Sequence, residues 1–361
     1  MANPDARPQS ARAFCREILP AVSRTFSLSI RLLPGQLGDA VRVAYLICRI
    51  ADTIEDEPRL TAEEKAALFD ALDACFGDPG SEGPPRSDPA GSDLRAAHAF
   101  SMSAATLSGD AAHVRLARNA PLVFDAYRQL SRESQASVRR WVGEMIAGMR
   151  KFALAYPRGV RIQSLEEYRE YCYYVAGTVG YLLTDLWHQH SPSIGRRRYE
   201  ALRERCRAFA EALQTVNILK DVARDAEREN SIYIPEQLLR AHGSAHETIL
   251  SASRAEQNRA ALGALVQLAW HDLEQATAYL LMIPRRAVAI RLFCALPLLF
   301  AYATLRDLTR TPGALAHHEV VKISRSEVQS LTLLSVLGVL SNRMLARLVE
   351  RARTRPVLLG F

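Results

Sequence analysis

"YLICRIADTIEDE", residues 45–57, runs from an apolar segment straight into four acids, and its reading decides the fold. Its apolar residues recur at spacings of three and four, the period of a helix with one buried face. On such a helix Asp52, Glu55 and Asp56 stand at i, i+3 and i+4, so three carboxylates share one face while Ile54 points away. Like charges on one face repel, and acids set directly behind a buried run need either full solvation or a counter-cation.

The same helical period extends over nearly the whole chain. Runs of alternating β-branched residues bounded by turn pairs are almost absent, which predicts an all-α fold. Long helices are expected over about 122–155, 166–189, 196–229 and 255–282. The main break, "GDPGSEGPPRSDPAGSD" at 77–93, is too rich in Pro, Gly and Ser for a helix and reads as a flexible surface loop. Shorter breaks fall at "YPRGV", "HSPSIG", "YIPEQ", "LMIPRR" and "RTPGALAHH". None resembles a linker between two cores and no repeat is present, so one domain over 1–361 is expected, its first 11 residues frayed.

A second acidic set answers the first. In "LQTVNILKDVARDAEREN" (213–230), Asn217, Asp221 and Asp225 lie at i, i+4 and i+8, with Gln214 one turn earlier. Leu213, Val216, Ile218 and Leu219 fill the positions between. Two such stripes on separate core helices, facing each other across a bundle cavity, suit a hard cation held by oxygen ligands. Mg²⁺ bound there keeps coordination positions for water and phosphate, and stabilises a departing diphosphate. The bland reading, a solvated helix end at "EDEPR", competes for either cluster taken alone.

Bulk properties narrow the partners. The 361 residues are 48% hydrophobic and 24% charged, a soluble globular balance. The net charge of +7 admits polyanionic substrates, anionic membranes or nucleic acid. Of the 46 basic residues only Lys65, Lys151, Lys220 and Lys322 are lysines, and the arginines are dispersed without a nucleic-acid motif, so no nucleic acid is expected. Cys15, Cys48, Cys75, Cys172, Cys206 and Cys294 form no C-x-x-C pair and read as buried free thiols. The N-terminus lacks a secretory h-region, predicting a cytoplasmic protein. "LFCALPLLFAYATL" (292–305) contains Pro297 and is shorter than the ~18 to 20 residues a span needs, so it reads as a core helix. Trp141, Trp187 and Trp270 read as core or helix-interface residues. His188, His190, His317 and His318 lack zinc spacing and read as surface or loop positions.

Four segments carry a resemblance. "VSRTF" (22–26), "YLICRIADTIEDE", "YCYYVAGTVG" (171–180) and "LQTVNILKDVARD" (213–225) occur in the order and spacing of the squalene and phytoene synthases, head-to-head prenyltransferases of the isoprenoid synthase fold. The resemblance covers about residues 12–310. It implies a single helical domain around a central cavity and two prenyl diphosphates condensed through a cyclopropyl diphosphate, with two or three Mg²⁺ ions. Asp52, Glu55 and Asp56 resemble the first metal motif, Asp221 and Asp225 the second. Ser23, Arg24 and Arg49 match diphosphate-binding residues, and Tyr171 matches a tyrosine active in the first step. Tyr45 and Asn217 match residues lining the same cavity.

The chain departs from the family pattern at Lys220, where arginine is usual, at Arg224, where an acid is usual, and at Ser231, with Arg228 nearby as a substitute cation. Lys220 keeps the charge without the guanidinium fork. For the small residues of "VAGTVG", tight helix packing at Gly177 and Gly180 is the plainer reading.

"FCALPLLFAYATL" (293–305) and "VKISR" (321–325) resemble segments of squalene synthases. They imply NADPH near Phe293, Asn217, Lys322 and Arg325, held without a Rossmann motif. The expected activity is therefore squalene synthase of the bacterial kind, without the C-terminal anchor of eukaryotic members, acting as a monomer on farnesyl diphosphate. Phytoene or dehydrosqualene synthesis without reduction is the alternative; a terpene cyclase or a non-catalytic assembly factor are readings from other classes. A hydrocarbon product leaves into water at a cost of ~0.8 kcal/mol per CH₂, so peripheral contact with the inner face of a membrane is also expected.

Overall fold

The computed structural model describes residues 10–23, 25–77, 89–311 and 321–358, apart from the side chains of 25 and 89–93. Among them all regular structure is helical, and the nearest approach to a strand is one parallel bridge between Arg161 and Ile232. The all-α expectation holds. Contacts divide the chain into two compact units, Met1–Leu154 and Ala155–Phe361.

The first unit contains α1 (Ala11–Val22), α2 (Thr25–Arg31), α3 (Gly35–Glu55), α4 (Ala62–Ala74), α5 (Pro89–Ser103), α6 (Ala111–Arg118), α7 (Ala120–Arg128) and α8 (Arg132–Ala155). α3 packs against α1, α4, α6 and α7. Its apolar stripe explains why: Leu46, Ile47, Ile50, Ala51 and Ile54 are wholly buried, and full burial of one Ile or Leu stabilises by roughly 1.5–3 kcal/mol. A capping box starts α4, with the Glu64 amide donating to Thr61 Oγ1 at 3.2 Å and the Thr61 amide to Glu64 Oε2 at 2.8 Å.

Two expectations need correction in this unit. The helix expected over 122–155 is two, because the chain turns at 129–131. There the Ser131 hydroxyl accepts from the Ser134 amide at 3.3 Å, and the Gln135 side chain donates to the Arg128 and Leu130 carbonyls at 3.0 and 2.8 Å. The loop expected over 77–93 stops earlier, since α5 begins at Pro89, a residue the first helical turn tolerates. Residues 78–88 lie outside the described residues.

The second unit contains α9 (Leu165–Cys172), α10 (Thr178–His190), α11 (Arg196–Arg228), α12 (Glu236–Ala241), α13 (Ala255–Met282), α14 (Val288–Arg310), α15 (Arg325–Gly338) and α16 (Asn342–Thr354). α11 lies against α10 and α13. The approach is close because of Gly180, where a Cβ would collide with the Cys206 carbonyl. The packing reading of Gly180 is thereby supported.

The apolar helix α14 is 23 residues, longer than the apolar stretch that announced it, and passes a length-and-composition test for a membrane span. Its apolar window is 78% buried inside the unit, as a core helix requires. Two buried arginines clamp it. Arg291 donates to the carbonyls of Val339 at 2.7 Å and Ile283 at 2.5 Å, and to Asn342 Oδ1 at 2.8 Å. Arg306 grips Glu327 with two bonds of 2.9 and 3.0 Å and reaches the Ala352 and Arg355 carbonyls. Each guanidinium nitrogen of the two has an acceptor, which is what makes burial of a guanidinium tolerable.

Trp187 is fully buried and Trp141 nearly so, while Trp270 packs on Tyr302. All six cysteines are free and buried. His188 and His190 are not loop residues: both sit in the last turn of α10, half-buried, with His188 stacked on Tyr199 at 4.5 Å. His317 and His318 lie outside the described residues.

Candidate functional site

In the first unit one stripe of α3 gathers the predicted residues. Tyr45, Arg49 and Asp52 follow one another at i, i+4 and i+7, half-buried beside the wholly buried stripe that anchors the helix. Arg49 Nη1 donates to Asp52 Oδ2 at 2.8 Å, and its Nη2 lies 3.4 Å from His113 Nε2 on α6. Ser23 accepts from the Phe26 amide at 3.2 Å, fixing the entry to α2, and also hydrogen-bonds the Tyr45 phenol. The Phe26 ring packs on Tyr45 at 5.8 Å. Ser23, Tyr45, Arg49 and Asp52 are thus one connected group. Arg24 lies outside the described residues.

Burial sets the electrostatics of this group. It pushes the Asp52 carboxyl above its ordinary range, against the pull of Arg49. For Arg49 burial works against the charge, yet Asp52, Tyr45 and Asp56 outweigh it and hold the guanidinium above its ordinary range. Burial and then Arg49 push His113 down, which favours a neutral ring. Burial also raises the Tyr45 phenol. Arg49 Nε is buried with no hydrogen-bond partner, a donor pointed at nothing in the protein.

The four acids of "DTIEDE" have different surroundings. Glu55 ends α3, and its carbonyl accepts from Lys65 Nζ at 2.5 Å, so a cation caps the negative end of the helix. Asp56 is the C-cap, its amide donating to the Asp52 carbonyl. Glu57 is buried and accepts from the Ser108 amide at 2.6 Å, the Ser108 hydroxyl at 3.0 Å and the Arg59 amide at 3.2 Å. It staples the 104–108 segment and is no part of a solvated helix end.

In the second unit α11 presents the expected polar stripe. Asn217 is exposed, Gln214, Lys220, Asp221 and Asp225 are half-buried, and Val216, Ile218 and Leu219 are buried between them; Leu213 is only half-buried. Lys220 Nζ stands 3.1 Å from Asp221 Oδ2. Arg228 is exposed in the last turn of the helix. Ser231 is a structural residue, its hydroxyl accepting from the Val160 amide at 3.1 Å across the parallel bridge.

Tyr171 is buried and stacked on Tyr233, ring centroids 4.8 Å apart. Directly after it the helix expected over 166–189 is interrupted by a π-helical turn, Tyr173–Gly177, of a kind that gathers at functional sites. Beneath the turn α11 contributes Arg207 and Glu211: Arg207 Nε donates to Glu211 Oε1 at 2.5 Å, and its guanidinium lies 4.9 Å from the Tyr173 ring. A Cβ on Gly177 would stand 3.0 Å from Glu211 Oε1, so glycine is what lets this carboxylate under the turn. Burial raises Glu211, Arg207 opposes it, and Asp272 on α13 adds to the rise.

Asn217, Phe293, Lys322 and Arg325, matched to a nicotinamide cofactor, share no hydrogen bond, ion pair or ring contact among the described residues. Phe293 is a core residue set edge-on to Trp187 at 5.2 Å. Lys322 and Arg325 are exposed at the start of α15, where Ser324 caps the helix. No three His, Cys, Asp or Glu side chains converge on one metal position among the described residues. The carboxylates on offer are oxygen donors, few per helix, which fits Mg²⁺ with its preference for water and phosphate in the remaining positions. The orphaned Arg49 Nε fits an anionic oxygen.

Residue reading missed His113, the Arg207–Glu211 pair, Tyr233 and the π turn. His113 is 64 positions from Arg49, beyond the reach of any local spacing. Tyr233 belongs to "YIPEQ", read only as a break.

Comparison with known proteins identifies the family and the fold. A family described as squalene/phytoene synthase matches residues 19–327. Squalene synthase 1 of Arabidopsis thaliana is similar at 26% identity over 300 residues, 82% of this chain and 65% of that protein, so the chain spans about two-thirds of that relative's length. Among solved structures, a TcSQS–ligand complex superposes with a TM-score of 0.74 at 22% identity, covering 95% of this chain and 97% of the other. A dehydrosqualene synthase complex gives 0.59 at 20% identity, covering 90% and 94%. At these identities the structures establish a shared fold.

Proposed function

The chain belongs to the squalene/phytoene synthase family, and from that premise we propose that it is a Mg²⁺-dependent squalene synthase. It joins two farnesyl diphosphates head to head as presqualene diphosphate, then reduces this to squalene with NADPH. The observation that carries the reading is the Tyr45–Arg49–Asp52 stripe with its unpartnered guanidinium nitrogen. A phosphate oxygen accepting from Arg49 Nε would satisfy that donor, and Asp52 keeps the guanidinium in place for it.

The roles follow from chemistry. Asp52, Glu55 and Asp56, with Asp221 and Asp225, hold Mg²⁺, which neutralises the charge of the diphosphate as it departs. Ser23, Arg24, Arg49 and Lys220 bind diphosphate oxygens, with Arg228 in support, and Gln214 and Asn217 contact the substrate. Tyr45 and Tyr171 present phenols to the reacting prenyl chains, Tyr171 offering a π-face and a hydroxyl to a developing cation. In the proposal both acid sets serve this one reaction, and the chain acts as a monomer.

NADPH supplies the hydride of the second step. Lys322 and Arg325 support this reading, because two cations beside a helix N-terminus suit a phosphate group. Release of a dehydrosqualene-type product without reduction is the competing outcome.

The test is incubation of the purified protein with farnesyl diphosphate and Mg²⁺, with and without NADPH, followed by mass spectrometry of the hydrocarbons. Squalene only with NADPH is the expected result. Dehydrosqualene regardless of NADPH would remove the reductive step, and absence of any condensed product would overturn the proposal.

A further inference from the structure

The last two helices of the second unit turn hydrophobic side chains outward. Leu333, Val336 and Leu337 lie at i, i+3 and i+4 on α15 and are 47%, 49% and 65% exposed; Leu340 in the following turn is 61% exposed and Met344 at the start of α16 is 48% exposed. The patch is continuous across the turn, because Met344 packs over Gly338, where a Cβ would stand 3.3 Å from the Met344 Cβ. A single exposed leucine is ordinary, whereas a contiguous apolar patch marks something that covers it.

The surroundings of the patch identify its partner. Arg343 and Arg347, one turn apart on α16, flank Met344; both are exposed, and neither has an ion-pair partner among the described residues. Arg351 and Arg355 extend the same basic edge, and Glu350 is the exposed acid on that helix. The patch is aliphatic, without the aromatic anchors that concentrate binding energy in protein interfaces. Aliphatic side chains bordered by arginines match a lipid surface, with acyl chains for the first and phosphates for the second. The base is rigid, since Arg291 fastens the 339–342 turn and Arg306 fastens Glu327 on α15 and the end of α16 to α14.

We infer that the α15–α16 face is a peripheral docking surface for an anionic lipid bilayer. Leu333, Val336, Leu337, Leu340 and Met344 enter the boundary between headgroups and acyl chains, while Arg343 and Arg347 meet the lipid phosphates. The inference rests on this surface alone and stands whatever reaction the chain catalyses.

Co-sedimentation of the full chain with vesicles tests it. At low salt the protein is expected to pellet with vesicles of phosphatidylglycerol and phosphatidylcholine in equal parts, and about ten-fold less with phosphatidylcholine alone. The double variant L337E/L340E, whose replaced side chains are mostly in water, should keep the wild-type circular dichroism and thermal melt while losing about ten-fold in bound fraction. R343A/R347A should lose a few-fold and show a shallower dependence on salt. Wild-type protein left in the supernatant, or both variants binding as well as wild type, would overturn the inference. A vesicle-free dimer that L337E/L340E splits would also overturn it, by assigning the face to a second copy of the chain.

Discussion

The end of α3 and the stripe of α11 present the same letters, acids at helical spacing beside a buried run, in different settings. The Asp52 and Asp221 side chains are almost equally exposed, 24% and 26%, so exposure does not distinguish them. Their partners do. Asp52 faces a guanidinium one turn back on its own helix, whose Nη2 lies 3.4 Å from His113 Nε2. Asp221 faces the ammonium of its neighbour Lys220, a flexible cation one-third exposed. The first acid belongs to a pre-assembled group, the second to a pair that water can replace.

The largest expected effects separate the two. Asp52→Asn removes a metal-competent carboxylate and leaves Arg49 without its counter-charge. Turnover of a prenyl diphosphate should fall by about 10³-fold, and the free energy of unfolding in urea by about 1 kcal/mol, because burial works against the Asp52 charge and Asp56 still acts on Arg49. Asp221→Asn should cost about 10²-fold in turnover and less than about 0.5 kcal/mol in stability, since Lys220 resolvates. If the two variants lost equal stability, the distinction between them would not stand.

Much of this difference was visible in the chain and some could not have been. The all-α fold, the stripe of Asn217, Asp221 and Asp225, and the α3 stripe are properties of local spacing, and a helix reproduces local spacing faithfully. The split of 122–155 at Gln129–Ser131 escaped because its cause is a set of side-chain bonds from Ser131 and Gln135 to the backbone, with no Gly or Pro to announce it. His113 escaped because its partner comes from another helix. The π turn at Tyr173–Gly177 escaped because it lies inside an unbroken helical period, and the Glu211 carboxylate that approaches Gly177 comes from α11, a tertiary contact with no local sign.

Glu57 sharpens the comparison from within a single motif. It stands one residue from Asp56 and is indistinguishable from it by charge, yet its carboxylate is spent on Ser108 and the Arg59 amide. Glu57→Ala removes the acceptor of the Ser108 and Arg59 amides, which water can partly replace at exposed Ser108, and should lower stability by about 1 kcal/mol while turnover stays within about two-fold. Urea melts and initial rates on the same preparation measure both. A large loss of turnover without loss of stability would place Glu57 among the functional acids.

The smallest effect tests whether environment, rather than helix, governs an acid on α11. Glu211 lies almost three turns before Asp221 on that helix but is buried, with Arg207 as its partner. Burial outweighs Arg207 and raises its folded titration above the unfolded one. The folded carboxyl then keeps a proton at a pH where the unfolded chain has lost it. Glu211 thus contributes most stability below the unfolded value, and that contribution is lost as pH rises through the window up to the raised folded value. Gln at this position accepts the same Arg207 bond and cannot titrate. Across that window the melting temperature of the wild type should fall relative to Glu211→Gln by about 1–2 °C and then run parallel to it. A wild-type melting temperature that instead rose relative to Glu211→Gln would mean that Arg207 wins over burial, and that the two acids of α11 differ in degree only.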